Sequence, residues 1–124
     1  MEKEVMIVDD DLAVLKTCKK IIIRNNLTVR TAESGKACLQ ELEKGFKGII
    51  LMDIIMPEMD GWDTINEIVK RGYIKNVIIL MLTGKDQPGE KMDNLKEYVL
   101  DYIRKPFDAE NLIKLIKKYL SYLE

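Results

Sequence analysis

The chain has 124 residues, which fits one domain with one core over residues 1–124 and leaves little room for a second. Hydrophobic residues make up 47%, which excludes a disordered chain; 20 basic against 21 acidic residues leave a formal charge of −1, with no global pull toward nucleic acid. There is no histidine, so imidazole-based zinc sites and Ser-His triads are excluded.

The segment MEKEVMIV carries acids and runs straight into an apolar stretch, unlike a signal peptide. No apolar run nears the ~18 residues that a membrane span needs. A cytoplasmic protein is expected, without membrane insertion. Val5–Val8 reads as the first strand. Asp11 to Arg24 reads as a helix with Leu12, Leu15, Lys19 and Ile22 on one side and Cys18 and Ile23 close by. Lys19 would lay its stem on the core, and Asn25–Asn26 would stop the helix. Thr28–Ala32 is a weaker strand, suited to a place near an edge. Ser34 to Glu43 turns Ala37, Cys38 and Leu42 inward, and Gly45 ends it. Cys18 and Cys38 lie too far apart for a CxxC motif and read as reduced helix residues.

Ile49–Met52 is a third strand, nearly all apolar, as expected for a strand covered on both faces. Thr64 to Lys70 is helical, with Ile65, Ile68 and Val69 inward and Gly72 following. Val77–Leu82 is the fourth strand. Asp86 to Glu97 reads as a short helix beginning near Gly89, because Pro88–Gly89 interrupts its start and only Met92 and Leu95 face inward. Tyr98–Ile103 is the fifth strand. Asp108 caps a last helix with the stripe Leu112, Leu115, Ile116, Tyr119 and Leu123. Its other side carries Lys114, Lys117 and Lys118, either a solvated face or a partner face. Strands alternating with helices indicate an α/β doubly wound parallel sheet with right-handed crossovers.

The polar residues that punctuate these strands converge. Asp9, Asp10 and Asp11 follow the first strand, and Asp53 follows the third. Thr83–Gly84 follows the fourth, and Lys105–Pro106 the fifth. In a doubly wound sheet the carboxyl ends of the strands meet at one crevice. Crowded carboxylates repel, and a hard cation such as Mg²⁺ relieves that repulsion. A carboxylate oxygen of Asp53 can attack phosphorus. Lys105 and the Thr83 hydroxyl would then meet the equatorial oxygens, and Gly84 would leave room and expose its N–H.

The stretches IVDDD (Ile7–Asp11), LMDIIMPEMDG (Leu51–Gly61), LTG (Leu82–Gly84) and DYIRKPF (Asp101–Phe107) together resemble the receiver domain of two-component response regulators. The likeness runs along essentially the whole chain. It implies a flavodoxin-like five-stranded parallel sheet of order 2-1-3-4-5 with five helices in a three-layer sandwich. It implies phosphorylation of Asp53 by a sensor histidine kinase or a histidine phosphotransfer protein. Mg²⁺, with Mn²⁺ as a substitute, would be held by Asp10 directly, Asp9 largely through water, Asp53, and the backbone carbonyl of Ile55. Thr83, Gly84 and Lys105 would contact the phosphoryl group, with Lys105–Pro106 joined by a cis bond. Pro57 and Gly61 would shape the loop after Asp53, glycine permitting an unusual turn. Trp62, just beyond, reads as a partly exposed packing residue.

The resemblance also implies a switch. Thr83 turns toward phosphate and Tyr102 moves inward, which biases the surface of the fourth helix, fifth strand and last helix. A downstream protein, and a dimer formed on phosphorylation, would read that surface. Tyr98-Val99-Leu100 departs from the Gly-Ala-x that many receivers carry before the fifth-strand Asp-Tyr. Ile55 and Lys85 occupy positions that tune acyl-phosphate lifetime, and bulky, apolar Ile55 implies slow to moderate self-hydrolysis. The implied protein is a signalling switch that acts on its own phosphoryl group rather than a metabolic enzyme, and no linked output domain is visible. A haloacid-dehalogenase-like phosphatase would also use a DxD pair, here Asp9 and Asp11, but Ala13 stands where its threonine belongs. A pseudo-receiver that only binds proteins is the other alternative, opposed by intact Asp10, Asp53, Thr83 and Lys105.

Overall fold

Parallel strands in the order β2-β1-β3-β4-β5 form the sheet of the computed structural model, which describes residues 4–84 and 94–123. The strands are β1 Glu4–Val8, β2 Val29–Ala32, β3 Gly48–Asp53, β4 Val77–Thr83 and β5 Val99–Arg104. Each end lies within one residue of the span expected from sequence. Four α-helices are present among the described residues: α1 Leu12–Arg24, α2 Gly35–Glu43, α3 Gly61–Lys70 and α4 Ala109–Leu120. The helix expected over Asp86 to Glu97 lies largely outside the described residues. Its described end is a turn at Asn94–Leu95 followed by a 3-10 turn, Lys96–Tyr98.

Every residue of β3 is buried, as a central strand of a doubly covered parallel sheet requires. Alternation sends its side chains into two cores. Ile50 and Met52 join Met6, Val8, Cys38, Leu42, Ile65 and Ile68 beneath α2 and α3. Ile49 and Leu51 join Val5, Ile7, Leu15, Cys18, Leu112 and Ile116 beneath α1 and α4. The cysteines therefore lie on opposite faces, both free.

Two helices differ from the sequence reading. In α1 the buried residues are Leu15, Cys18 and Ile22, with Val14 and Ile21 at the margin. Leu12 and Ile23 are 61% and 53% exposed, and Lys19 is exposed too. The buried arc is turned toward α4, which shares its core, so Leu12, Lys19 and Ile23 lie off it. Helix α3 begins at Gly61, one turn before Thr64. Asp60 accepts from the Asp63 N–H at 2.8 Å, and Asp63 accepts from the Asp60 N–H at 3.1 Å. This reciprocal box satisfies donors that the first turn leaves open. Trp62 thereby falls on the inner side of α3 and is 2% exposed, not partly exposed.

Candidate functional site

Strand register assembles the site. Ile7 pairs with Leu51 and Val8 with Met52, so one further step sets Asp9 opposite Asp53. Both sit between β1 and β3, where the strand order reverses, the usual crevice of a doubly wound sheet. Asp53 pairs in turn with Leu82 of β4, and Thr83 with Arg104 of β5. The Lys105 N–H then donates to the Thr83 carbonyl at 2.7 Å. The Lys105–Pro106 bond is cis.

Asp9 is 1% exposed and Asp53 8%, whereas Asp10 is exposed. Asp11 does not enter the crevice. Its side chain caps α1 by accepting from the Ala13 N–H at 2.9 Å, while its own N–H donates to Asp9 Oδ1 at 2.9 Å. Lys105 Nζ donates to Asp9 Oδ2 at 2.7 Å and to Asp53 Oδ1 at 3.3 Å. Burial and the negative charge of Asp9 push the Asp53 carboxyl up to about 6, although Lys105 pulls against them. Burial favours the neutral form of Lys105, but its hydrogen bond to Asp9 and the charges of Asp53 and Asp9 outweigh that and raise its pKa. Burial pushes the Cys18 thiol up to about 11, with Asp9 adding to the effect. That thiol is inert packing.

Oxygens of Asp9, Asp10 and Asp53 lie within 4.8 Å of one another. An all-oxygen, multiply charged donor set of this size fits a hard divalent cation such as Mg²⁺. Ile55, whose backbone carbonyl is the other expected contributor, follows Asp53 by two residues and is 57% exposed. Thr83 is half-buried, and Gly84 is exposed with open space where a Cβ would stand. Lys85 lies outside the described residues.

The loop between β3 and α3 is held by backbone. The Gly61 N–H donates to the Ile54 carbonyl at 2.8 Å. A Cβ on Gly61 would lie 2.5 Å from the Asp53 carbonyl oxygen. The glycine is therefore needed for close approach, and the expectation of an unusual turn there is corrected. The positive φ of the loop falls instead on Glu58, at 67°. Pro57 is exposed, and its carbonyl accepts from the Met59 N–H at 2.7 Å.

Tyr102 is 42% exposed on β5. Sequence reasoning missed a cleft of about 430 Å³ beside Lys105, lined by Ala13, Val14, Thr17, Pro106 and Phe107. Its lining comes from two distant segments of small or weakly periodic residues, which gave no local signal. The direct Lys105–Asp9 bond was missed too, since charge spacing does not say which carboxylate a lysine prefers.

The fold and the crevice define a class: a doubly wound α/β protein with a carboxylate cluster and one lysine at its switch point. A family model described as the response regulator receiver domain matches residues 5–117. The chain belongs to that family, the receivers of two-component systems, which is not a family of metabolic enzymes. It is 31% identical over 117 residues to the transcriptional regulatory protein CpxR homolog of Haemophilus influenzae, covering 94% of this chain and 50% of that protein. It is 28% identical over 120 residues to the response regulator MprA of Mycobacterium tuberculosis, covering 97% and 51%. The chain thus spans about half the length of these curated relatives. Among solved structures, a response regulator receiver domain protein (CheY-like) from Methanospirillum hungatei JF-1 superposes with a TM-score of 0.94 at 44% identity, over 99% of this chain and 98% of that one. No described helix is long and apolar enough to cross a membrane.

Proposed function

We propose that this chain is a cytoplasmic receiver that takes a phosphoryl group onto Asp53 from a phosphohistidine of a sensor kinase or phosphotransfer protein. The observation that carries the reading is Asp53 itself. It ends a wholly buried strand, with Asp9 and Lys105 gathered around it. An Asp53 carboxylate oxygen attacks phosphorus, the P–N bond to the donor imidazole breaks, and an acyl phosphate forms. Asp9, Asp10, Asp53 and the Ile55 carbonyl would hold Mg²⁺, which when bound neutralises the phosphoryl oxygens. Lys105 gives up one carboxylate contact and meets the new charge. The Thr83 hydroxyl and the Gly84 N–H supply further donors. Hydrolysis of the acyl phosphate resets the site.

Signalling follows from a shift between two states. A doubly charged phosphoryl group draws Thr83 toward it, and the half-exposed Tyr102 ring moves into the space released. The altered face of β5 and α4 is offered to a downstream protein or a second receiver. The deciding experiment is phosphoryl acceptance from candidate kinases or acetyl phosphate with Mg²⁺. Labelling of wild type and its loss in Asp53→Ala are expected. Labelling of Asp53→Ala at the wild-type rate would show that another residue is the acceptor.

A further inference from the structure

Strand β5 does not keep step with its neighbour. Val99 pairs with Ile79, but the next pair is Leu80 with Asp101, so Leu100 is an extra residue in β5. The two cores show the same break. Val99 lies beneath α2 and α3, while Ile103, four positions on, lies beneath α1 and α4. In an unbroken strand, residues four apart share a face. Bulges are rare between parallel strands, and they re-aim the side chains that follow them.

The side chain re-aimed here is Tyr102. It pairs with Met81, which lies in the core beneath α2 and α3, and alternation along β4 gives Thr83 that same face. Were Leu100 an ordinary paired residue, Tyr102 would fall opposite Leu82 and face the α1–α4 core, with Thr83 on the other side of the sheet. The bulge also turns Asp101 toward α4, where its carboxylate joins two elements. Oδ1 accepts from the Tyr102 N–H at 2.8 Å, and Oδ2 accepts from the Tyr119 hydroxyl at 2.9 Å. That hydroxyl also lies 3.3 Å from the carbonyl oxygen of the extra residue, Leu100. Tyr119 belongs to the α1–α4 core and is 6% exposed, so its hydroxyl is a fixed point and not a free surface group. We infer, on the proposed reading in which Thr83 and Tyr102 form the switch, that Tyr119 is its positioning residue. Through Asp101 and the Leu100 carbonyl it pins the bulge that keeps Tyr102 on the face of Thr83.

The test has two arms. The first needs no phosphoryl group. Hydrogen exchange of the Tyr102 amide, read by NMR, should quicken about tenfold relative to that of Leu51 in central β3, both in Tyr119→Phe and in Asp101→Ala. The second arm follows the Tyr102 ring by NMR while Asp53 is phosphorylated with acetyl phosphate and Mg²⁺. The wild-type ring signals should shift on labelling. Tyr119→Phe leaves Asp9, Asp53, Thr83 and Lys105 unaltered, so it should take up label at the wild-type rate yet lose most of the ring shift. Asp101→Asn keeps an oxygen for the Tyr102 N–H and a partner for the Tyr119 hydroxyl, and should restore most of the response that Asp101→Ala loses. Tyr122→Phe, whose ring meets that of Tyr119 edge-on at 5.3 Å but lies outside the tie, should behave as wild type. Unchanged Tyr102 exchange in Tyr119→Phe, or a full ring shift in both Tyr119→Phe and Asp101→Ala, would overturn the role of Tyr119 alone. So would an Asp101→Asn variant that does no better than Asp101→Ala. Labelled wild type without a ring shift would overturn the switch together with that role. Wild type that takes no label would overturn the proposed phosphoryl chemistry and this role with it.

Discussion

Lys105 and Asp9 meet at 2.7 Å across 96 residues of sequence, and this is a shorter contact than the 3.3 Å between Lys105 and Asp53. The lysine therefore offsets mainly the more buried of the two acids. Asp53 keeps the longer contact, and burial first and the charge of Asp9 second hold its pKa up at about 6 against the pull of Lys105.

Removing the lysine should push that value higher. In Lys105→Met the three remaining influences, burial, Asp9 and Asp10, all oppose ionisation. Carboxyl carbon NMR of the metal-free protein should place Asp53 titration above about 6. A midpoint that stays put or falls would mean that Lys105 does not govern the site's charge.

The same shift makes a stability prediction. Asp53 is raised from 3.8 to about 6 on folding, so between those values the folded state holds more protons than the unfolded. Its contribution is fully present below about pH 4 and is lost as pH rises through about 6. At neutral pH the metal-free protein carries the penalty, and Asp53→Asn should remove it. The full displacement corresponds to about 3 kcal/mol; solvent screening at this crevice reduces the expected gain to about 1 kcal/mol. Urea melts of both proteins at pH 4 and pH 7 test this. Equal gains at the two pH values would refute the assignment to Asp53.

Strands and site residues were legible because each strand is an apolar run closed by a polar residue, and parallel register then aligns the polar ends without further information. Asp9, Asp53, Thr83 and Lys105 meet for that reason. Helix faces were harder. The α1 stripe was drawn through Leu12 and Lys19, but the arc that is buried depends on where α4 packs, which the local sequence does not state. Trp62 is buried because α3 begins at Gly61, one turn before the apolar periodicity from Thr64 shows. The signal was present: Asp60 and Asp63, three apart, mark a reciprocal cap. That the protein uses Gly61 for proximity rather than torsion depends on the approach of the Asp53 carbonyl, a tertiary fact.

Gly61→Ala should be costly. The new Cβ would sit 2.5 Å from the Asp53 carbonyl oxygen and 3.0 Å from Ile54 Cα, both backbone atoms that cannot step aside. A loss of about 2 kcal/mol or more is expected from overpacking. Gly72→Ala, where nothing lies within 4 Å but φ is +79°, should lose only about 1 kcal/mol. Denaturant midpoints that rank the two the other way round would contradict the close-packing argument.

Ile55→Asn should shorten the life of the acyl phosphate. The isoleucine, two residues beyond Asp53, is 57% exposed and offers nothing to orient water. A carboxamide there can hold a water in line with phosphorus, a gain of about tenfold in hydrolysis for one well-placed polar group. The rate of phosphoryl loss from pre-labelled protein measures it. Identical rates would remove both the steric and the polar explanation.

Trp62→Phe should be unusually mild for a core aromatic. The indole is 2% exposed, and its Nε1–H has no hydrogen-bond partner among the described residues. An unpaired buried donor costs about 1–3 kcal/mol, and phenylalanine removes it while keeping most of the ring contacts with the α2–α3 core. The relieved donor and the small void left behind nearly cancel, so a change within about 1 kcal/mol is expected. Trp62→Ala should instead lose about 3–5 kcal/mol. With a single tryptophan in the chain, its fluorescence follows unfolding of the wild type, and far-ultraviolet circular dichroism follows both variants. A phenylalanine variant as unstable as the alanine one would show that the indole N–H is satisfied in solution.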